Sequence, residues 1–293
     1  MIRFMRFSLL YLIISGLIII PGIYSLVKFG LRPAIDFTGG TLIEVIFDSG
    51  NTAVGRSDIQ KITDTQKLEV GSIQETGVRA FLMRLKPIDT HQHQQLLDAF
   101  QKDLGKVTES RFETVGPILG KELLGKTFVA AILAILVILS YVAWAFRDVR
   151  FGVSAIIAML HDVLIVISVY SFLGFFRGVE VDSLFVTAIL TTMSFSVHDT
   201  IVVFDRIREL QKRISGIPFE QLIDQSMNET MVRSLNNSLT IVFMLLALFL
   251  LGGATIKWFV LALLIGTISG TYSSPFVAAP VLFLWHKIRH KRK

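Results

Sequence analysis

Residues 194–210 read SFSVHDTIVVFDRIREL. An apolar run of membrane-span character carries an imidazole and a carboxylate, His198 and Asp199, and closes on Asp205-Arg206. Asp199 precedes Asp205 by six residues, which at 1.5 Å per residue sets it ~9 Å inside the polar boundary. That is too deep for a short Asp side chain to reach water by snorkelling. An ionisable group at such depth costs a few kcal/mol on insertion scales, so it must do work or have a partner.

The composition agrees with a membrane setting. The 293 residues are 52% hydrophobic and the mean hydropathy is +0.62, which marks a chain far more apolar than a soluble one. There is no cysteine, so disulfides, thiolate metal sites and cysteine nucleophiles are excluded together. The net charge is +6, but the basic residues cluster beside apolar runs instead of gathering on one folded face, which argues against nucleic acid. No phosphate-binding loop, nucleophile elbow or zincin motif is present, so neither an ATP-driven pump nor a protease is supported. The chain reads as a non-enzyme without cofactor or metal.

Six spans are expected, the first from about residue 7 to 29 and the others near 127–146, 151–174, 182–204, 235–252 and 256–285. The first follows Arg3 and Arg6 and lacks a cleavage signal, so it reads as an uncleaved helix, with Pro21-Gly22 predicting a kink. Arg147, Arg150, Arg206, Arg208, Lys212, Arg213, Arg233 and the tail Lys287 to Lys293 fall on one side, against Arg177 and Lys257 on the other. That asymmetry puts both termini in the cytoplasm and residues 30–126 outside. The expected division is therefore a first helix over 1–29, an extracytoplasmic domain over 30–126, and a five-helix membrane domain over 127–293.

Residues 30–126 have mixed charge and recurring turn signals. TLIEVIF (41–47) reads as a strand, and SDIQKITDTQ (57–66) as a helix with a Ser cap. KLEVGSIQ and VRAFLMRL flank a turn expected at Glu75-Thr76-Gly77. A polar helix opened by Thr90 (90–104) and a strand at 107–116 complete the order β-α-β-β-α-β, that of a small ferredoxin-like α+β domain. His91 and His93 lie two apart on its second helix, on different faces, which does not suit a metal site.

Within the spans, His161-Asp162 sits about eleven residues into the third, and His198-Asp199 lies in the fourth. The stretch MVRSLNNSLT opens the expected fifth span and places Arg233, Asn236, Asn237 and Thr240 on one helix face. Arg233 is expected to reach inward toward Asp199 if those spans are neighbours. Buried carboxylates and imidazoles titrate with conformation, so a proton path through Asp199 and Asp162 is the functional reading. Interhelical hydrogen bonding is the plainer one, and it suits His161, Asn236, Asn237 and Thr240 best. Gly266 and Gly270, in GTISG, have the spacing that lets helices approach closely. Gly30 and a linker at Gly120 to Gly125 are expected hinges.

AIDFTGGTLIEV (34–45) resembles the signature of the SecD/SecF family, membrane subunits that assist bacterial protein export. HDTIVVFDRIRE (198–209) resembles that family's fourth-span motif, and HDV (161–163) and VRSLNNSLT (232–240) its third- and fifth-span motifs. The single modest external region fits the smaller member of the pair. The resemblance implies one half of a pseudo-symmetric bundle of the resistance-nodulation-division superfamily, in the bacterial plasma membrane. It implies a SecD partner, association with the SecYEG translocon and YajC, and unfolded preprotein as the cargo moved with the proton gradient. On it, Asp199 is the protonatable carboxylate and Arg233 its charged partner. Asp162 and His198 join them, while Asp36, Phe37, Thr38, Gly39 and Gly40 form a coupling or structural segment. Two positions depart from the pattern: His198 stands where Asn is usual, and Asn236-Asn237 where small or hydroxyl residues are usual. Two other readings compete with it, a scaffold subunit of the translocon without proton conduction and half of a proton-driven small-molecule exporter.

Overall fold

The computed structural model describes residues 2–48, 54–146, 148–214 and 216–291. Arg147, Arg292 and Lys293 of the basic clusters lie outside the described residues. Six segments are long and apolar enough to cross a membrane: Met5–Phe29, Pro117–Phe146, Val149–Arg177, Ser183–Arg213, Phe219–Leu251 and Thr255–Arg289. The chain divides into two compact units, Met1–Arg32 with Val129–Lys293, and Pro33–Phe128.

The smaller unit starts with a helical turn, α2 (Ile35–Thr38), followed by β1 (Gly40–Phe47), α3 (Arg56–Thr65), β2 (Val70–Gly77), β3 (Ala80–Leu85), α4 (Thr90–Leu104) and β4 (Val107–Val115). The strands form one sheet in the order β2-β3-β1-β4, antiparallel throughout. Alternation in β1 and β3 sends Ile43, Val45, Phe81 and Met83 to one face, where they bury against Ile59 of α3 and Leu96 and Phe100 of α4. Two local expectations need correction, and the α4 cap can be added to a helix that opens at Thr90 as expected. The hairpin turn is Val78-Arg79, because Glu75 and Gly77 remain paired with Phe81 and Ala80. The α3 cap is Gly55, whose N–H donates to Asp58 Oδ2 at 3.0 Å, and not Ser57. Helix α4 is capped by Asp89, whose Oδ1 accepts from Gln92 N at 2.8 Å while Gln92 Oε1 accepts from Asp89 N.

The larger unit holds the spans. The first is α1 (Ser8–Phe29), which runs unbroken through Pro21. Gly22 lets it approach α6 (Val149–Arg177) at Ser168, and Ser25 bonds Ser171 at 2.9 Å. The second, α5, spans Pro117–Phe146 without interruption, so the expected glycine linker at Gly120 to Gly125 is helix. Proline at the first helical position starts it early, since its fixed φ is already helical and its missing N–H is unneeded there. At the other end of α5, Phe146 packs on Phe151 of α6 and Phe204 of α7 (Ser183–Arg213).

Between α5 and α6, Asp148 caps the second helix. Its Oδ1 accepts from the Arg150 amide at 3.0 Å and its Oδ2 from the guanidinium at 2.7 Å. The Arg150 bond holds this carboxyl below the ordinary Asp range. Such a cap is fully present above the ordinary value and fades as pH falls through the lowered one. Amide exchange at Phe151 and Gly152 is thus expected to stay slow down to the ordinary Asp range and to quicken below it. Quickening already at neutral pH contradicts this account.

Helix α8 (Phe219–Leu251) begins sixteen residues earlier than expected. Its 33 residues extend ~50 Å against a hydrocarbon core of ~30 Å, so its first turns stand outside the lipid. Those turns hold the N-terminal segment: Asp224 Oδ1 accepts from Met5 N at 2.8 Å, and Asn228 Oδ1 from Ile2 N at 3.0 Å. Arg206 joins α7 to α8 through Glu229 and pairs with Glu209 at 2.5 Å, so Asp205 is not its partner. The last span is α9 (Ala254–Ser273), a wide π turn (Ser274–Ala278) and α10 (Ala279–Lys291). The wide turn contains Pro275, whose missing N–H removes one helical bond there. Helices α6, α7 and α9 pack at the centre of the unit, with Ala155, Ala158, Ala188 and Ala262 fully buried among them.

Candidate functional site

Where α6, α7, α8 and α9 meet, small residues bring helices close enough for short polar side chains to touch. Asp162 of α6 is completely buried. Ser269 Oγ of α9 donates to its Oδ1 at 2.5 Å, and Ser273 Oγ, one turn on, donates to its Oδ2 at 2.6 Å. His161 Nδ1 lies 3.0 Å from the same Oδ1. A hydroxyl on each oxygen supplies the donors that a carboxylate in a dry interior requires. The His161 ring stacks on Tyr272, and its Nε2 has no partner among the described residues.

Asp199 of α7 is half-buried, and Ser238 Oγ of α8 donates to its Oδ2 at 3.4 Å. A cavity of about 360 Å³ lies beside it, bordered by His198, Asn237, Ser238, Thr267 and Gly270. A second, smaller cleft meets Asp199 toward the Arg213 end of α7, bordered by Val203, Met227, Thr230 and Pro275. Asp199 therefore borders both the cavity and the narrow cleft.

The remaining candidates fall elsewhere. Arg233 does not reach Asp199; it is exposed and has no ion pair among the described residues. Five residues separate it from Ser238, a rotation of ~140°, so when Ser238 faces α7 the arginine faces away. Asn236 and Thr240 share that outward face, and Thr240 Oγ1 bonds back to Asn236 O at 2.8 Å. They do not join helices of this chain, contrary to expectation. Asn237 borders the cavity, and His198 is exposed at its edge. The hydroxyls that hold the carboxylates, Ser238, Ser269 and Ser273, were not singled out from sequence. The four-residue spacing of Ser269 and Ser273 within an apolar helix was the available signal.

The DFTGG segment lies in the smaller unit. Phe37 is buried, Asp36 is partly exposed, and Thr38 Oγ1 donates to Ala34 O at 3.1 Å. Gly39 and Gly40 adopt φ +73° and +139°, where side chains are strained. A Cβ on Gly39 would stand 2.7 Å from Pro117 Cα, and one on Gly120 2.8 Å from Gly39 N. The two glycines thus let the segment lie directly on the first turn of α5. Among the described residues no group of three or more His, Cys, Asp or Glu is placed to hold a metal.

Six segments long and apolar enough to cross a membrane, with carboxylates held between them, and an α+β unit after the first define a multi-pass membrane protein. The family described as "Protein export membrane protein SecD/SecF, C-terminal" matches residues 95–288, and the "SecD/SecF GG Motif" matches residues 24–49. The protein translocase subunit SecF of Thermobaculum terrenum is 45% identical over 97% of this chain and 94% of its own. The translocase subunit SecDF of Thermus thermophilus is 36% identical over 89% of this chain, which spans only 35% of that longer protein. The crystal structure of a Thermus SecDF, titled a translocon-associated membrane protein, superposes with TM-score 0.85 at 32% identity, covering 98% of this chain and 39% of that one. The chain belongs to the SecD/SecF family of protein-export membrane proteins. Its relatives are named for protein transport rather than for catalysis.

Proposed function

We propose that this protein works with a SecD-type partner in the bacterial plasma membrane to drive late steps of preprotein export with the proton gradient. The observation that carries this reading is Asp199, a half-buried carboxylate in a span with one weak hydroxyl partner, a cavity beside it and a narrow cleft next to it. A charged carboxylate at that depth is costly and its protonated form much less so. Conformations that open it to one side or the other therefore differ in the charge they tolerate. One proton crossing 100 mV supplies about 2.3 kcal/mol, enough to bias such a pair of states. On this reading both termini are cytoplasmic, as the basic clusters favour, and the SecYEG translocon, YajC and the unfolded preprotein are neighbours of the assembly. The smaller unit is a ferredoxin-like module, a reading supported by its strand order and antiparallel pairing.

Arg233, Asn236 and Thr240 belong to the partner's side on this reading. A polar stripe exposed within a span is costly against lipid, and a second six-span half would cover it. The length of the fused SecDF relative supports such a half. On this reading, replacing Asn236 and Thr240 together by leucine removes two hydrogen bonds to the partner's helices. At about 0.6 kcal/mol each, pairing weakens roughly eightfold. Co-purification of the SecD-type subunit with the doubly substituted protein checks it, and an unchanged yield removes this face from the interface.

The function itself is tested by preprotein translocation into vesicles holding both subunits, with and without an imposed proton gradient. A gradient-dependent yield is expected. Equal yields overturn the reading and leave a scaffold.

A further inference from the structure

Gly266 and Gly270 of α9 look alike in sequence but differ in what surrounds them. A Cβ on Gly266 would collide with the Thr192 side chain, so close packing of α7 on α9 requires glycine there. A Cβ on Gly270 would meet Ser196 Cα at 3.4 Å and Asp162 Oδ2 at 3.7 Å, both ordinary contacts. Packing does not require glycine at 270. Gly270 borders the Asp199 cavity on one side, and the Asp162 carboxylate lies just behind it on the other. Ser196, fully buried beside it, has a hydroxyl with no partner among the described residues.

We infer that Gly270 is an aperture joining the Asp199 cavity to Asp162, and that Asp162 is the inner acceptor of the proton that Asp199 admits. This inference rests on the proton-coupled reading above and extends it to a second carboxylate. A cavity of about 360 Å³ accommodates several water molecules. Those waters and the hydroxyls of Thr267, Thr271 and Ser273 form the relay. The Asp199 carboxyl loses its proton and becomes a carboxylate, while Asp162 gains one at Oδ2 and becomes a carboxyl. The pair keeps one negative charge throughout, so transfer brings no additional charge into the bundle. Around Asp162, α6 contributes His161, α9 contributes Ser269, Ser273 and Tyr272, and α7 contributes Ser196, with His198 and Asp199 across the cavity. No Lys or Arg among the described residues borders the cavity. Ser269, on Oδ1, is a positioning residue that holds the acceptor in place.

The experiment uses Gly270→Ala, whose methyl group fits but closes the aperture. The full-length protein is reconstituted with its SecD-type partner and compared with wild type, Asp162→Asn and Asp199→Asn. Infrared difference spectra are recorded as pH is lowered on one side, reading the carbonyl stretch of protonated carboxyl groups. In wild type two carboxyl bands are expected; Asp162→Asn removes one and keeps the other, whereas Asp199→Asn, which removes the group that admits the proton, loses both. Gly270→Ala is expected to insert normally, retain the Asp199 band, lose the Asp162 band, and translocate only at the level seen without a gradient. A purely structural glycine would leave both bands in place. Retention of the Asp162 band in Gly270→Ala, or its absence from wild type, overturns the inference. If Asp199→Asn still responds fully to the gradient, the proton-coupled reading fails first, which separates the two failures. Should Gly270→Ala insert poorly, the band assigned through Asp162→Asn still decides whether Asp162 takes up the proton.

Discussion

Asp199→Asn is expected to abolish the gradient-dependent part of preprotein translocation while leaving insertion and partner binding intact. Asparagine matches the carboxylate in shape and still accepts from Ser238, whose bond at 3.4 Å is already long. What it loses is the ability to take up and release a proton. Asp199 borders both the cavity and the cleft, and no other carboxylate among the described residues borders either. Of the two stages, the loss thus falls on coupling and not on folding. The measurement is translocation into proteoliposomes with matched amounts of the two variants, with and without a gradient. Equal responses place the acid in packing alone, and the coupling then belongs to another group.

Gly39→Val is expected to destabilise the smaller unit severely. At φ +73° an L-residue costs about 1–2 kcal/mol, and a β-branched one is a real outlier. Its Cβ would also stand 2.7 Å from Pro117 Cα, a main-chain atom that cannot swing aside. Overpacking of that kind adds about 1–3 kcal/mol. Together these consume a large part of the stability of a domain of this size. Limited proteolysis of the full-length protein in membranes should cut residues 33–128 readily in the variant and slowly in wild type. Gly105→Val is a useful control, since that glycine also has a positive φ but nothing within 4 Å of its Cβ position. If both variants resist protease equally, the contact with Pro117 carries no weight.

The large pattern was legible because it rests on composition and period. Runs of apolar residues long enough to span lipid, and alternation in TLIEVIF and AFLMRL, report burial directly. Ends were harder to place. Helix α8 runs back to Phe219 because tertiary contacts of Asp224 and Asn228 with the N-terminal segment support its polar first turns. Helix α5 absorbs Gly120 and Gly125 because its neighbours in the smaller unit hold its first turn. A weak propensity signal cannot anticipate either support.

From the sequence alone followed six spans, an α+β region after the first, and two acids deep in the spans, of which Asp199 is too costly to be incidental, because hydropathy and the cost of a charge in lipid are local quantities. Only the tertiary structure decided what meets those acids. It gave Asp162 its serines from α9, gave Asp199 the hydroxyl of Ser238, and turned Arg233 outward. The reason is that each pairing depends on the rotation of one helix against another, and a five-residue step changes that by ~140°. Depth is written along one helix, whereas a partner is fixed by two.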